Sequence, residues 1–375
     1  MKIGILGAGQ LAMMLADAGK RLGDSFTFLD PNPESCAARS GKLILAEYTD
    51  TKALQRLASN TDVATFEFEN VAVEAVMQLQ QQVAVHPAMS ALSVCQDRLT
   101  EKKLLQQLKI PLAEFAEINS RIDLLEAIEQ IGYPAVLKTR RMGYDGKGQA
   151  VLEGAEDLER AWHKLADYPL VLEAFVEFEA ECSILAARDP GGNMVYWPLN
   201  QNKHLQGVLA VSMSPSFSES LQQQAEALVA RLLKHFNYIG VITLELFLKD
   251  GQLLANEIAP RVHNSGHLTI EGSSCSQFEN HIRALSGREL KNPISKGVSL
   301  MLNWVGDIPE HGKLASYEGV YLHDYGKQPR AGRKLGHTTL VAADRKSLLQ
   351  LFDQFCEFDN PAIAAARIVL NKLHG

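Results

Sequence analysis

Residues 240–267, GVITLELFLKDGQLLANEIAPRVHNSGH, concentrate side chains that could do chemistry. Two carboxylates, Glu245 and Glu257, stand in apolar, strand-like runs that otherwise have the pattern of a protein core. A buried charge is costly unless it is paired, so the pairing of the two runs decides what the stretch can do. A polar cluster follows directly and consists of Arg261, His263, Asn264 and Ser265.

The predicted hairpin brings the two carboxylates together. A three-residue loop at 250–252 would pair Lys249 with Leu253. Continuing that ladder puts Glu245 directly opposite Glu257, with Cβ atoms about 5 Å apart. Two ionised carboxylates at this distance repel each other, and the pKa of one rises unless a cation lies between them. Mg²⁺ suits the pair, because it takes a few carboxylate oxygens and completes its octahedron with phosphates and water. The alternative is a solvent-facing pair neutralised by nearby lysines.

A glycine-rich loop, MGYDGKGQ (142–149), lies between two predicted strands. It is therefore not a Walker-type P-loop, which leads into a helix. Gly143, Gly146 and Gly148 would let backbone amides approach phosphate oxygens with no Cβ in the way. Lys138, near the end of the preceding strand, can reach the same phosphates; the alternative for the loop is a plain hairpin tip. Together with the carboxylate pair, these residues predict ATP bound between two layers of antiparallel sheet.

The first glycine turn is ambiguous. GAGQLA (7–12) fits the dinucleotide fingerprint, and Asp30 follows at the distance at which a dehydrogenase holds the ribose of NAD. The alternative is a tight turn that lets a helix pack close to its strand. In either case, the free N–H groups of the helix N-terminus favour an anion.

Composition and charge are those of an ordinary globular protein. Of 375 residues, 46% are hydrophobic and 22% charged, and the length predicts two or three domains. The formal net charge of −7 argues against a broad nucleic-acid surface. Five scattered cysteines without a C-x-x-C pair indicate free thiols rather than disulfides or a zinc site. No stretch approaches the roughly 18 to 20 apolar residues of a membrane span, so we expect a cytoplasmic protein.

The order of predicted elements divides the chain into three parts. Residues 1–100 alternate strands and helices, which is typical of an open parallel α/β sheet. Residues 101–295 contain consecutive strands with hairpin signals and hold both the glycine loop and the carboxylates. Residues 296–375 form a smaller C-terminal domain.

Motifs along nearly the whole chain resemble the ATP-grasp superfamily and, within it, the N5-carboxyaminoimidazole ribonucleotide synthetases of purine biosynthesis. The motifs are GAGQL, FEFEN, DRLTEK, GYDGKGQ, NEIAPRVHNSGH and YGKQPRAGRKLGH. The resemblance implies a mixed α/β and α+β fold. An ATP-grasp domain with a lid subdomain at about 112–180 would follow an open parallel pre-ATP-grasp domain and precede a small C-terminal domain. A homodimer is also implied, acting on small molecules and on neither nucleic acid nor membrane.

The resemblance also implies a nucleotide site. The backbone of residues 173–176 would read adenine, and Glu181 would hold the ribose hydroxyls. Glu245 and Glu257 would bind Mg²⁺, with Mn²⁺ as an alternative. The further residues implied around the nucleotide are Arg98, Lys138, Gly143, Tyr144, Asp145, Gly146, Lys147, Gly148, Gln149, Glu173, Ala174, Phe175, Val176, His204 and Asn256. Related sequences often carry arginine at position 147; Lys147 keeps the charge but not the bidentate fork, which leaves its direct role open.

The sugar phosphate substrate would lie where the domains meet. The residues implied to contact it are Gln10, Leu11, Glu67, Tyr144, Lys327, Arg333 and Lys334. The last three would hold its 5′-phosphate, although PRAGRKLGH could also be a solvated basic turn. Arg261, His263, Asn264 and Ser265 would form the bicarbonate pocket, since a small planar anion needs bidentate arginine donors beside short neutral donors. His263 alone could equally be an ordinary core histidine, and Asp145 would orient or deprotonate the attacking amine.

The implied reaction activates bicarbonate. Bicarbonate attacks the γ-phosphorus of ATP to give ADP and carboxyphosphate. The exocyclic amine of 5-aminoimidazole ribonucleotide then captures carboxyphosphate, or CO₂ released from it. Closure of the glycine loop would keep water away from the intermediate.

Four other functions are weighed against this one. A formate-dependent glycinamide ribonucleotide formyltransferase would share the fold, but RVHNSGH (261–267) argues against it. A biotin carboxylase component is disfavoured by the short chain and its specific tail. An NAD-dependent oxidoreductase is supported only by the first glycine turn and Asp30. A regulator without catalysis is disfavoured by the intact set of Lys138, Glu245, Glu257 and Arg261.

Overall fold

The N-terminal part of the chain is a five-stranded parallel sheet. A computed structural model describes residues 1–143, 148–309, 317–355, 358 and 360–371. The sheet, called the N-terminal sheet below, has the order β3-β2-β1-β4-β5. Its strands are β1 (Lys2–Leu6), β2 (Ser25–Asp30), β3 (Lys42–Leu45), β4 (Val63–Phe66) and β5 (Ala84–Val85), and its helices are α1 (Gln10–Lys20), α2 (Thr51–Ser59), α3 (Val73–Gln80) and α4 (Met89–Cys95). The predicted open parallel α/β sheet is confirmed.

Helix α5 (Arg98–Gln107) connects this sheet to the rest of the chain. It begins at an N-cap, Asp97, whose carboxylate accepts hydrogen bonds from the N–H groups of Leu99 and Thr100. The helix is polar, yet Glu101 and Lys102 are 3% and 2% exposed. Buried charges of this kind need partners, and both partners lie in the candidate site described below.

A four-stranded antiparallel sheet follows, called the small sheet, with the order β6-β9-β7-β8. Apolar residues of its two helices pack on one face of the strands, among them Leu124, Leu158 and Leu165. The elements are β6 (Phe115–Ile118), α6 (Arg121–Ile131), β7 (Ala135–Thr139), β8 (Gln149–Leu152), α7 (Glu156–Leu165) and β9 (Leu170–Ala174). The glycine loop joins β7 to β8, as predicted.

The remaining strands form one antiparallel sheet, called the large sheet, with the order β15-β14-β10-β12-β13-β16-β18-β17 and β11 beside β10. Its strands are β10 (Ala180–Arg188), β11 (Met194–Tyr196), β12 (Asn200–Leu205), β13 (Val208–Ser214), β14 (Gly240–Lys249), β15 (Gln252–Ala259), β16 (Val298–Val305), β17 (Val320–Asp324) and β18 (Lys334–Ala342). The accompanying helices are α8 (Glu219–His235), α9 (Thr269–Gly272), α10 (Gln277–Leu285), α11 (Arg345–Phe355) and α12 (Pro361–Asn371). The pairing of β13 with β16 makes the C-terminal strands a continuation of the central ones.

One apolar core joins the N-terminal sheet to the large sheet. Met13 on α1 packs with Phe278 and Ile282 on α10, and Leu185 and Val241 of the large sheet belong to the same cluster. Burial of these side chains from both parts fixes the first glycine turn relative to the large sheet. Among the described residues, no helix combines the length and the apolar character needed to cross a membrane.

The turn of the carboxylate hairpin differs from the predicted one. Only two residues, Asp250 and Gly251, join β14 to β15, and their φ angles are +49° and +72°. Positive φ at both central residues is the signature of the tight turn that Asp-Gly favours. Lys249 therefore pairs with Gln252 rather than with Leu253, and the predicted three-residue loop was wrong.

A bulge in β15 restores the predicted carboxylate pair. Leu246 pairs with Ala255, whereas the next residue back along β14, Glu245, pairs with Glu257. Asn256 is therefore the extra residue of the bulge. The bulge adds the residue that the shorter turn removes, so Glu245 lies opposite Glu257 and the predicted pairing is confirmed.

Candidate active site

A cavity of about 990 Å³ lies where the three sheets meet, which is a volume typical of ligand clefts. Of the residues assigned from the sequence, its walls contain Gln10, Leu11, Glu67, Arg98, Lys138, Gly143, Gln149, Glu173, Ala174, Phe175, Val176, Glu181, His204, Glu245, Asn256, Glu257, Arg261, His263, Asn264 and Lys334. Gly148, Ser265, Lys327 and Arg333 are described residues that do not line the cavity. Tyr144, Asp145, Gly146 and Lys147 lie outside the described residues.

The two carboxylates of the hairpin differ in their surroundings. Both carboxylates line the cavity, but Glu245 is 8% exposed whereas the side chain of Glu257 is exposed. Desolvation by the surrounding protein and the charge of Glu245 raise the pKa of Glu257. Burial would also raise the pKa of Glu245, but hydrogen bonding to His263 and the charges around it lower that pKa. Two oxygen ligands with unrelieved repulsion are a suitable place for a hard divalent cation.

His263 is held from both sides of its ring. The N–H of Ser265 donates to Nδ1 over 3.3 Å, so Nδ1 is an acceptor and the proton of the neutral ring is on Nε2. That Nε2 lies 2.9 Å from Oε1 of Glu245. His263, which the sequence analysis assigned to the bicarbonate pocket, is thus hydrogen bonded to Glu245, one of the two candidate metal ligands.

A line of buried polar side chains lies behind His263. Its Nδ1 is 2.9 Å from Oγ of Ser265, which accepts a hydrogen bond from Ser183 over 2.8 Å. Ser183 in turn accepts from Asn202, whose Oδ1 accepts from Ser212. Each of these groups is satisfied by the next, so the line fixes the position of Ser265 without a charge.

Arg261 is paired with a carboxylate that sequence reasoning did not select. Its Nε donates to Glu69, and its Nη1 donates to the carbonyl of Val262 over 3.0 Å. Burial would raise the pKa of Glu69, but Arg261 lowers it to about 2, so the pair is ionic. Beside it, neither side-chain nitrogen nor oxygen of Asn264 has a hydrogen-bond partner among the described residues, although both atoms are buried. An unused donor and acceptor next to a guanidinium suit a small planar anion.

A carboxylate held by two lysines lies at the other side of the cavity. Lys138 on β7 and Lys102 on α5 both donate to Oε2 of Glu173, over 3.0 Å and 2.9 Å. Burial would raise the pKa of Glu173, but the two ammonium groups lower it to about 2. Burial also lowers the pKa of Lys138. Lys138 is therefore bound to a protein carboxylate at the place from which it was predicted to reach a phosphate.

Arg98 holds the beginning of the glycine loop. Its Nη1 donates to the carbonyl of Thr139 and its Nη2 to the carbonyl of Gly143, each over 3.0 Å. A Cβ at position 143 would displace this guanidinium, so both hydrogen bonds as they stand favour glycine there. Helix α5 thereby ties the loop to the cavity.

Glu181 and His204 form a pair on adjacent strands of the large sheet. The carboxylate accepts a hydrogen bond from the backbone N–H of His204 over 3.1 Å and lies 3.0 Å from its Nδ1. Burial would lower the pKa of His204, but the bond to Glu181 raises it. Both side chains border the cavity next to the carboxylate hairpin.

The first glycine turn binds a carboxyl group supplied by the chain itself. The carboxylate of Glu67, at the end of β4, accepts hydrogen bonds from the N–H groups of Gly9 and Ala12. Asp30 accepts from the N–H of Ala8 over 2.8 Å and from the hydroxyl of Tyr48 over 3.0 Å. The N–H groups that a dinucleotide would need are therefore occupied, which favours the tight-turn interpretation over NAD binding.

The basic loop, residues 327–334, reaches the same turn. Lys327 donates to Oε1 of Gln10, and its ammonium lies 5.5 Å from the ring centre of Tyr325. Lys334, at the beginning of β18, is part of the cavity wall. Two of the three predicted phosphate cations thus lie between the N-terminal sheet and the large sheet.

Comparison with known proteins agrees with this architecture. Three family profiles match in chain order: the ribonucleotide synthetase preATP-grasp domain at residues 1–96, the ATP-grasp domain at 103–278, and the phosphoribosylaminoimidazole carboxylase C-terminal domain at 299–351. The N5-carboxyaminoimidazole ribonucleotide synthase of Pseudomonas aeruginosa is 48% identical over 348 residues, which cover 93% of this chain and 96% of that protein. The chain belongs to the N5-carboxyaminoimidazole ribonucleotide synthase family.

Solved structures of this family superpose over almost the whole chain. The N5-carboxyaminoimidazole ribonucleotide synthetase of Thermus thermophilus is 44% identical, with a TM-score of 0.91 over 96% of this chain and 99% of that one. The N5-carboxyaminoimidazole synthase of Aspergillus clavatus, solved in complex with ADP and 5-aminoimidazole ribonucleotide, is 27% identical, with a TM-score of 0.86 over 99% of this chain and 98% of that one.

Membership of the synthase family decides between the alternatives left by the sequence. The fold is an ATP-grasp domain between a pre-ATP-grasp domain and a C-terminal domain, and the protein is an ATP-dependent ligase. The relatives support the N5-carboxyaminoimidazole ribonucleotide synthase function over the formyltransferase, the NAD-dependent oxidoreductase and the regulator without catalysis.

Sequence reasoning selected Arg98 but missed Glu101 and Lys102, two charged residues on the same face of α5. Arg98, Glu101 and Lys102 are spaced i, i+3 and i+4, so they lie on one side of the helix, and all three contact the synthase site. Glu101 accepts a hydrogen bond from the N–H of Ile258, next to Glu257. Burial and the charge of Glu257 raise the pKa of Glu101 to about 8. The signal that could have found them is the DRLTEK motif, which puts three charged side chains on one side of a helix.

Proposed function

We propose that the protein carboxylates the exocyclic amine of 5-aminoimidazole ribonucleotide with ATP and bicarbonate, giving N5-carboxyaminoimidazole ribonucleotide, ADP and phosphate in de novo purine biosynthesis. The observation that carries the proposal is one cavity that joins an opposed carboxylate pair, an arginine beside an unpartnered asparagine, and a basic loop. Nucleotide, bicarbonate and sugar phosphate each have a matching set of groups there.

The reaction has two steps. A bicarbonate oxygen bonds to the γ-phosphorus of ATP while the bond to the ADP oxygen breaks, which gives carboxyphosphate. The amine nitrogen then bonds to the carboxyl carbon, phosphate leaves, and the amine loses a proton. Arg261 and Asn264 would hold the carboxylate group during both steps, since they are close together and offer planar donors. Asp145 is our candidate for orienting or deprotonating the amine.

Glu245 and Glu257 are suited to hold Mg²⁺, with Mn²⁺ as the alternative. The fit rests on two opposed oxygen ligands whose mutual repulsion raises the pKa of Glu257. Magnesium at this pair would neutralise charge on the β- and γ-phosphates. Until the metal binds, the hydrogen bond from His263 keeps Glu245 ionised.

The nucleotide would lie between the small sheet and the large sheet. Lys138 would exchange Glu173 for a phosphate, Arg98 would keep the glycine loop in place, and the backbone of 173–176 would read adenine. Glu181 would hold the ribose, beside His204. The residues proposed to complete this site are Gly143, Tyr144, Gly146, Lys147, Gly148, Gln149 and Asn256.

The sugar phosphate would bind at the basic loop. Lys327, Arg333 and Lys334 supply three cations for its 5′-phosphate, and Lys327 already contacts Gln10. The residues proposed to contact the rest of the substrate are Leu11, Glu67 and Tyr144, and Ser265 would support the bicarbonate pocket through His263.

Three broader properties belong to the same proposal. The domains would be residues 1–100, 101–295 and 296–375, with a lid at about 112–180 that contains the small sheet. The protein would act as a homodimer in the cytoplasm. Free thiols at Cys36, Cys95, Cys182 and Cys275 suit a reducing compartment.

Release of ADP tests the proposed function. The protein would be given Mg²⁺-ATP and bicarbonate with and without 5-aminoimidazole ribonucleotide, and in parallel glycinamide ribonucleotide with formate. We expect stimulation only by the aminoimidazole ribonucleotide. Stimulation only by the second pair, or no turnover with either, would overturn the proposal.

A further inference from the structure

His267 is a cavity residue that the reaction proposed above does not use. It follows directly on the short 3-10 turn Asn264–Gly266 and is 1% exposed, yet it forms part of the cavity wall. The charges of Lys334 and Arg261 both act on its ring. Gln277 links it to His263, and His337 on β18 packs against it, so it adjoins both the proposed bicarbonate pocket and the strand at which the basic loop ends.

The proton of this ring is located by a backbone hydrogen bond. The N–H of His263 donates to Oε1 of Gln277 over 2.8 Å, which fixes which end of the Gln277 amide is oxygen. The Nε2 of Gln277 is then a donor; it bonds to the carbonyl of His263 over 2.6 Å and faces Nδ1 of His267 over 3.3 Å. Nδ1 of His267 is consequently an acceptor, and the neutral ring carries its proton on Nε2.

The C-terminal strands hold the other side of the ring. His337 on β18 lies with its ring centre 4.9 Å from that of His267, and the hydroxyl of Tyr325 is 2.8 Å from Nδ1 of His337. Burial, followed by the neighbouring charges, holds the pKa of His267 well below its ordinary value. The side chain is thus a neutral donor with a fixed direction, placed among groups that bind anions.

We propose that His267 is a further substrate-contacting residue, whose Nε2–H donates to the aminoimidazole end of the sugar phosphate substrate. The inference rests on the proposed function, because that end must lie between the basic loop and the bicarbonate pocket. Its acceptors are the unprotonated ring nitrogen and, as the product forms, the new carboxylate oxygens. A neutral donor serves both, since it cannot protonate the attacking amine as an imidazolium could.

Two substitutions test the Nε2–H hydrogen-bond donor of His267 separately from its imidazole ring. In His267→Gln the amide nitrogen reaches approximately the position of Nε2, whereas in His267→Asn it reaches only that of Nδ1. We expect kcat/KM for 5-aminoimidazole ribonucleotide to fall roughly 10- to 100-fold in H267N, as for a lost hydrogen bond to a buried group. In H267Q we expect a fall of less than about fivefold. ADP affinity, measured by calorimetry, should stay within about twofold in both variants, because His267 does not border the proposed nucleotide site.

Failure of the His267 inference can be distinguished from failure of the proposed function. An unaltered kcat/KM in H267N, or an equal loss in H267Q and H267N with the melting temperature of the wild type, would overturn the inference while the wild-type activity keeps the proposed function. No turnover by the wild type would instead reject the proposed function.

If both variants melt at a lower temperature than the wild type, a measurement on the wild-type protein decides. With ¹⁵N-histidine labelling, addition of 5-aminoimidazole ribonucleotide should shift the Nε2 resonance of His267 more than that of His281, which lies away from the cavity. A resonance of His267 that does not move at saturating ligand would contradict the proposed contact.

Discussion

Nε2 of His263 lies 2.9 Å from Oε1 of Glu245, so a proposed bicarbonate residue and a proposed metal ligand share one hydrogen bond. Because Nδ1 of His263 accepts from Ser265, Nε2–H is the only proton that the neutral ring can offer. Bicarbonate can gain this donor only when Glu245 turns to another partner. We therefore expect the metal and the bicarbonate to bind cooperatively at this pair of residues.

The same chemical change at the two carboxylates should have opposite effects on stability. Glu257→Gln removes a repelled charge, and we expect the free energy of unfolding at pH 7 without divalent metal to rise by about 0.5 kcal/mol, because solvent at this exposed side chain screens the repulsion. Glu245→Gln removes the charged partner of His263 and should lower it by about 1 kcal/mol. Urea unfolding measures both, and both variants should lose at least about 100-fold in kcat. Changes of the same sign would contradict the unequal environments of the pair.

Neighbouring lysines on α5 provide a matched comparison. Lys102 is buried against Glu173, whereas the side chain of Lys103 is 58% exposed in its pair with Glu117. Lys102→Met should lower the free energy of unfolding by about 2 kcal/mol, less than for a fully orphaned buried charge because Lys138 remains. Lys103→Met should change it by less than about 0.5 kcal/mol. Urea unfolding with equal losses in the two variants would show that the Glu173 cluster contributes nothing specific.

A histidine away from the cavity should govern part of the acid sensitivity. His281 is fully buried; its Nδ1 accepts from the N–H of Val241, and burial lowers its pKa to about 3. A depressed pKa gives stability that is present above the unfolded value near 6.5 and is lost as the pH falls toward 3. We expect unfolding free energies to fall by about 1 kcal/mol per pH unit more in the wild type than in His281→Asn between pH 6 and 4. Parallel pH curves for the two proteins would contradict the neutral state of His281.

The two-residue turn should tolerate only some residues. Gly251 has φ +72° and no described atom within 4 Å of an added Cβ, so Gly251→Ala meets backbone strain and no collision. We expect it to lower the free energy of unfolding by about 1 kcal/mol. Asp250→Asn is the control, since Asn adopts positive φ readily, and its effect should be below about 0.5 kcal/mol. Thermal unfolding distinguishes the two, and a neutral Gly251→Ala would reject the positive-φ turn.

Asp145 tests the chemistry of the second step. Asp145→Asn keeps the shape of the side chain and removes its basicity, so we expect loss of N5-carboxylation while ATP still binds. Product formation and nucleotide affinity measured on the same preparation separate the two effects. Full carboxylation activity in this variant would remove Asp145 from the mechanism.

Local patterns in the sequence predicted the elements of the site but not all of their connections. Periodicity and glycine placement gave the parallel sheet, the strand–loop–strand around Lys138 and the hairpin with Glu245 and Glu257. The turn length was wrong because Asp-Gly fits either loop, and the compensating bulge at Asn256 leaves no mark in an apolar run. Only the assembled sheet determines where that register shift falls.

Contacts between distant segments were the part that the sequence could not supply. Glu69 lies 192 residues from Arg261, and Ser183 lies 82 residues from Ser265. Such pairs depend on which strands become neighbours, which no local propensity encodes. The buried face of α5 was predictable only in part. The spacing of its charged residues can be read from the sequence, but their partners in β9 and β15 cannot.

The continuity of the large sheet fixes the distance between two parts of the proposed active site. Glu245 on β14 and Lys334 at the beginning of β18 are separated by a fixed succession of hydrogen-bonded strands, each about 4.8 Å from the next. The nucleotide proposed at Glu245 and the sugar phosphate proposed at Lys334 are therefore held at a spacing that side-chain motion barely alters. A sugar phosphate analogue with a shorter or longer link between its phosphate and its ring should be rejected, because its amine would no longer meet the activated carboxyl group.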